Sequence, residues 1–352
     1  MANLNKQLFQ SGVVGSLPRP LFVRDIVLHD EDPFSPIMDK AVQCAIALQE
    51  EAGLDIISDG EWRRKSYIGI IANVVSGFTH HFNKETGQSW HTVVEELKHD
   101  RPGFFAREVA FLKKNTEKKV KIAMPSPYLL GQRLWSEKES VGAYGTRRDF
   151  MEALVPVIRK EIELIRDAGA DVVQLDDSFV CSFVDEDTRS KFDDPEGELR
   201  YACDLVNDTF KGVEGVERAM HLCRWNKGRK GWSAEGGYEP IIPFIEKLEV
   251  DSLLLEYTVP VAGDVRALQL IPERFKIGLG CVDVRFDHID TPEEIRERVE
   301  KALEYVAPER ISLNPDCGFA PGSQSKIPLD EAYQKLKNEA NAGRLLRENI
   351  QQ

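Results

Sequence analysis

Short apolar runs rich in Val, Ile and Leu recur along the chain, and each ends in a small or polar residue. They occupy residues 13–16, 55–61, 120–125, 172–177, 218–223, 252–257, 276–283 and 310–317. Their length, their β-branched content and the lack of strict alternation predict strands buried on both faces, as in a parallel sheet. Between most of them the apolar spacing changes to a helical period, clearest over 36–52, 147–168, 240–248 and 292–306. The segments Ala52-Gly53-Leu54-Asp55 and Ala168-Gly169-Ala170-Asp171 place a glycine where a helix stops and a buried strand begins. Eight strands alternating with helices predict an α/β fold, a (β/α)8 TIM barrel, in a single domain over residues 1–352. The stretch between the second and third strands, about 63–119, exceeds an ordinary connection and predicts an insertion. Within it, residues 78–90 read as a hairpin with a Gly-containing turn that covers the barrel mouth. His80 and His81 are adjacent there, so on a strand they face opposite sides and do not form a metal pair.

Composition narrows the function. A net charge of -13 speaks against nucleic acid or an anionic membrane as partner. No signal sequence opens the chain and no apolar run is long enough to span a bilayer, so a cytoplasmic location is expected. Six cysteines in 352 residues, with no secretory signal, read as reduced thiols rather than a disulfide framework.

In a (β/α)8 barrel chemistry gathers at the C-terminal strand ends, and there the chain places Ser16, Glu61, Asp176, His221, Cys223, Glu256, Asp283 and Cys317. Side chains alternate along a strand, so His221 and Cys223 in His221-Leu222-Cys223 point to one side. An imidazole and a thiolate on one face suit a borderline cation such as Zn²⁺, and Glu256 and Cys317 close two further strands with acceptable ligand types. The same residues also fit a buried cysteine beside a hydrogen-bonded histidine.

The segments Gly15-Ser16-Leu17-Pro18, Ser58-Asp59-Gly60-Glu61-Trp62, Gln174-Leu175-Asp176-Asp177 and Asn314-Pro315-Asp316-Cys317-Gly318, together with the His/Cys/Glu/Cys set, carry a resemblance. The chain resembles the C-terminal, zinc-bearing half of cobalamin-independent methionine synthase and the single-barrel proteins related to it. The resemblance implies a (β/α)8 barrel holding zinc through His221, Cys223, Glu256 and Cys317. It implies methyl transfer to the thiolate of homocysteine, with Glu61 and Asp176 holding the substrate ammonium and Ser16 its carboxylate. Asp177 and Ser178 depart from the family, which often has Glu and Pro there. Weaker candidates are Tyr128 and Trp225 as aromatics for a flat donor, Trp232 beside Trp225, and the basic cluster Lys227, Arg229 and Lys230 for an anionic one.

The donor rests on one departure. Where the folate-using two-barrel enzymes carry an Asp-x-His pattern supplying a general acid, this chain reads Asp283-Val284-Arg285. An arginine stays protonated at physiological pH and cannot be that acid. His288 is the candidate substitute, and Arg285 becomes an anchor for a phosphate, a carboxylate or a partner surface. A donor needing no proton, a methylcorrinoid delivered as methylcobalamin or by a corrinoid protein, is therefore expected first. The alternatives are methyltetrahydrofolate as donor, another thiol such as coenzyme M as acceptor, or a thiol-binding zinc protein without turnover.

Overall fold

The computed structural model describes residues 8–29, 32–85, 87–320 and 326–350. Seven strands form one parallel sheet: β1 (Ile56–Ile57), β4 (Lys119–Pro125), β5 (Val172–Asp176), β6 (Glu217–Leu222), β7 (Ser252–Glu256), β8 (Lys276–Val282) and β9 (Ile311–Pro315). They lie side by side in chain order, with helices packed outside. The two edges of this curled sheet meet through the N-terminal segment, where Ser11 bridges Leu313 of β9 and Gly12 bridges Ile56 of β1, both in parallel. The first strand expected at 13–16 is thus displaced to two residues just before it. From Val14 onward side chains take the place of a strand partner: Gln174 Nε2 donates to Val14 O at 3.0 Å and Ser58 Oγ to Gly15 O at 3.1 Å. The second expected strand, 55–61, pairs only over Ile56–Ile57, because Gly60 (φ 67°) and Glu61 (φ 59°) turn the chain through the left-handed region.

The strands are buried almost throughout; only Lys119 in β4 and Lys276 in β8 are exposed among the seven residues of each. That follows from coverage of both sheet faces. The connecting helices begin and end where local chemistry dictates. Ser35 caps the helix Pro36–Ala52 by accepting from Met38 N, and Gly53 ends it in the left-handed region at φ 91°. Thr146 and Asp149 form a reciprocal capping box on Arg147–Asp167. The C-terminal helix Leu329–Ile350 packs on Pro36–Ala52, and its buried Glu339 accepts from Gly12 N at 3.0 Å. Among the described residues a large hydrophobic core runs from Leu8 to Leu346, and a small second cluster joins Val14, Val172, Ala219 and Leu254.

Between β1 and β4 the chain forms a hairpin, β2 (Ser76–Phe82) and β3 (Ser89–Lys98), which is a separate two-stranded antiparallel sheet. The helix Phe104–Asn115 follows and packs on β4 like the other outer helices, so the piece extra to the alternation is shorter than 63–119. His80 lies opposite His91, whereas His81 stacks on Trp90 and approaches Glu139. Among the described residues no helix is long and apolar enough to cross a membrane.

Candidate metal and substrate site

His221 lies in β6, Cys223 directly follows it, Glu256 ends β7, and Cys317 sits two residues past β9. Neighbouring C-terminal strand ends therefore bring the four together, and one ligand atom from each lies within 4.8 Å of the others. The Sγ atoms of Cys223 and Cys317 are 3.4 Å apart. A disulfide needs about 2.05 Å, whereas two thiolates on a tetrahedral zinc at about 2.3 Å would be roughly 3.8 Å apart. The observed spacing is near the second value, and all six cysteines are free. His221 is buried, and its Nδ1 lies 3.3 Å from Asp176 Oδ1 but makes no hydrogen bond of good geometry. Two sulfurs, one under-satisfied imidazole and one carboxylate, buried except for the partly exposed Cys223, form a donor set that fits Zn²⁺. Cys223 ionises more readily than a free thiol because the Cys317 thiol donates to it, against the cost of burial.

Asp176 joins this cluster to a second one. Its Oδ1 accepts from Gln174 Nε2 at 2.6 Å and its Oδ2 from the Tyr67 hydroxyl at 2.5 Å. Glu61 lies nearby, with only 10% of its side chain exposed. Burial, opposed by Arg64 and reinforced by Asp176 and Asp59, pushes its carboxyl up to about 7. The Arg64 guanidinium stands 3.8 Å from Glu61 but forms its close fork with Glu108, at 3.1 and 2.7 Å. Arg63 is turned to Asp39. These two carboxyl groups stand at one rim, and among the described residues neither is closely paired with a lysine or arginine, a chemistry that suits an ammonium group.

Ser16 lies on the loop tied to the Glu61 turn. Its Oγ accepts from Ala320 N at 3.2 Å, which leaves the hydroxyl proton free to donate to a carboxylate. Two glycines permit this assembly. A Cβ on Gly15 would stand 2.6 Å from Glu61 Oε1, and one on Gly318 would stand 2.3 Å from Ser16 Oγ. The loop holding Ser16 is tied to the Glu61 turn by Leu17 N donating to Gly60 O at 3.0 Å and Trp62 Nε1 to Leu17 O at 3.3 Å.

The remaining candidates fall elsewhere. Tyr128 is fully buried with its hydroxyl on Glu198 Oε1 at 3.0 Å, so its ring is not offered to a donor. Trp225 is half-buried, bonds Ser182 Oγ at 2.8 Å and meets Phe179 edge-on at 4.8 Å, in a left-handed backbone at φ 60°. Arg229 is held by Glu331, and Trp232 by Glu235 and the ring of Phe286. Asp177 caps a short helix by accepting from Val180 N. Asp283 accepts from Arg285 N and Phe286 N, ordering the turn after β8. Arg285 corrects the expectation of an external anchor. It is fully buried, with Nη2 2.5 Å from Glu256 Oε2 and Nη1 3.0 Å from Asp316 Oδ2. Burial disfavours its charge, but Glu256 and Asp316 outweigh that and hold it protonated. His288 corrects the expectation of a substitute acid: its side chain is 65% exposed and turned to Asp290 and Glu294. Tyr67, Gln174 and Asp316 were not singled out from sequence; Asp316 and Gln174 lie inside the quoted motifs, but Tyr67 gave no signal.

The family described as "Cobalamin-independent synthase, Catalytic domain" matches residues 27–344. The chain belongs to that family. It is 28% identical over 360 residues to a methionine synthase of Sulfurisphaera tokodaii, covering 96% of this chain and 92% of that one. It is 26% identical over 361 residues to a methionine synthase of Pyrococcus horikoshii, covering 98% and 94%. Among solved structures it resembles a B12-independent methionine synthase from Shewanella sp. W3-18-1 in complex with selenomethionine. The TM-score is 0.77 at 23% identity, over 98% of this chain and 99% of that one. A methyltransferase from Methanosarcina mazei follows the same path with TM-score 0.60 at 16% identity, over 100% and 97%. At these identities the solved structures speak for the fold. Membership of a cobalamin-independent family overturns the expectation of a methylcorrinoid donor and a corrinoid protein partner. That expectation rested on the missing histidine acid at Asp283-Val284-Arg285, and no residue among these candidates replaces it.

Proposed function

We propose that this member of the family is a zinc-dependent methyltransferase that converts homocysteine to methionine with methyltetrahydrofolate as donor. The observation that carries the reading is the convergence of His221, Cys223, Glu256 and Cys317 within 4.8 Å, beside the ammonium seat of Glu61 and Asp176. Zinc, when bound by those four residues, would lower the proton affinity of the substrate thiol so that it reacts as thiolate. Glu61 and Asp176 hold the ammonium, and Tyr67 and Gln174 fix the Asp176 carboxylate in place. The Ser16 hydroxyl donates to the substrate carboxylate. These contacts aim the sulfur along the line from the acid pair to the thiols, which supplies the orientation that a displacement needs. The sulfur–methyl bond forms as the methyl–N5 bond breaks; N5 keeps the electron pair and takes up a proton from solvent, which balances the one released by the thiol. Arg285 and His288 are not placed to give that proton.

The test is methionine formation by zinc-loaded protein from homocysteine with methyltetrahydrofolate or methylcobalamin at matched concentrations. A faster folate rate, lost in Cys317→Ser, supports the proposal. A faster methylcobalamin rate overturns the donor, and equal turnover of a thiol lacking the amino group overturns homocysteine as acceptor.

A further inference from the structure

Of the four candidate ligands, only Glu256 is ion-paired to a cationic side chain among the described residues. Its Oε2 receives Arg285 Nη2 at 2.5 Å, its Oε1 receives Arg224 N at 3.0 Å, and it is fully buried. His221 faces Asp176 and the carbonyl of Asp316, and the two thiols face each other. The Arg285 guanidinium is itself held from two sides. Its second arm meets Asp316, which accepts from Tyr257 N at 3.0 Å, Thr258 N at 3.2 Å and the Thr258 hydroxyl. The loop that carries Arg285 is clamped by the buried Lys335, whose Nζ donates to Asp283 O at 2.9 Å and Phe286 O at 2.5 Å. Two anchored loops thus present one cation to one ligand.

We propose that Arg285 is a positioning residue that receives the Glu256 carboxylate when the substrate sulfur takes its place at the metal. This rests on the zinc and homocysteine reading above. Each carboxylate oxygen has two lone pairs, so Glu256 can keep Arg285 and still reach a metal. The guanidinium neutralises part of its charge, which makes it the weakest donor beside two thiolates and an imidazole. Once displaced, a buried carboxylate without a partner would be strongly unfavourable. With Arg285 in place it loses the metal but keeps a positive partner. Arginine suits the task because its fork reaches Glu256 and Asp316 together, where an ammonium is a single point charge.

The experiment measures metal coordination and homocysteine affinity in wild type, Arg285→Met, Arg285→Lys, Glu256→Gln and the Glu256→Gln/Arg285→Met double variant. Zinc-edge X-ray absorption of the wild type should gain a third sulfur on adding homocysteine and lose the light-atom contribution of Glu256. Arg285→Met should keep zinc at least as tightly against a chelator. It should bind homocysteine roughly tenfold more weakly or worse, without the full third-sulfur signal, because the carboxylate then has nowhere to go. In the Glu256→Gln background the same substitution should change homocysteine affinity by no more than about threefold, as coupled residues require. Arg285→Lys should fall between, and serves alone if Arg285→Met does not fold. Wild-type affinity and a full third sulfur in either Arg285 variant would overturn the proposal, as would an undiminished effect in the Glu256→Gln background. A wild type that gains no third sulfur overturns it together with the homocysteine reading. Third-sulfur binding without methionine formation from methyltetrahydrofolate leaves Arg285 its role and removes only the donor.

Discussion

Glu61 carries a stability cost that a single substitution should release. Its carboxyl titrates near 7 in the folded protein against an ordinary 4.5, chiefly because burial disfavours the charge. Below pH 4.5 both folded and unfolded chains hold the proton, and no cost appears. As pH rises toward 7 the unfolded chain gives up its proton first, so unfolding gains; above 7 the cost is complete. The 2.5-unit displacement corresponds to about 3 kcal/mol at roughly 1.4 kcal/mol per unit. Glu61→Gln keeps the shape of the protonated acid and does not titrate. Relative to wild type, the variant should therefore gain about 2.5 kcal/mol between pH 5 and pH 8, since part of the cost is already present at pH 5, whatever the intrinsic cost of the amide. For 352 residues that is a relative melting shift of about 3 °C, readable by scanning calorimetry of the ligand-free protein at the two pH values. Methionine binding should move the other way, because the amide offers no charge to the ammonium. A relative stability that stays level or falls from pH 5 to pH 8 would refute the reasoning and place Glu61 in an ordinary salt bridge with Arg64.

Asp176→Asn should weaken homocysteine binding by roughly 2–5 kcal/mol, seen by calorimetric titration, and should leave a thiol without the amino group almost unaffected. Cys223→Ser and Cys317→Ser should each lower zinc content from about one per chain, measured by atomic emission after dialysis. Gly15→Ala should push the Glu61 carboxylate from its place, since the added methyl would meet Oε1 at 2.6 Å, and should raise the KM for homocysteine more than it lowers kcat. His288→Ala should leave methionine formation within about twofold of wild type, because an exposed side chain facing Asp290 and Glu294 contributes to neither seat.

The alternation of strand and helix was legible in the chain because burial on both sheet faces leaves continuous apolar runs, and because Gly53 and the capping residues mark helix ends locally. Residue types at strand ends carried His221, Cys223, Glu256 and Cys317, since a parallel barrel sends every C-terminal strand end to one rim. Tertiary structure decided the rest. Whether residues 11–12 or 13–16 close the sheet depended on Gln174 and Ser58 claiming the carbonyls of Val14 and Gly15 from distant positions. Tyr67 reaches Asp176 across 109 residues, a contact no local pattern encodes. Arg285 was read as an anchor because a permanently charged guanidinium cannot be a general acid, an argument that carries no information on which way the side chain points. Its direction was set by two acids from other strand ends, Glu256 and Asp316, whose charges can draw a guanidinium inward only after the strands are assembled. Local pattern thus encodes which elements form and which residue types reach the rim. Pairing of charges inside the rim is a property of the closed fold, because it joins groups that only packing brings within hydrogen-bond range.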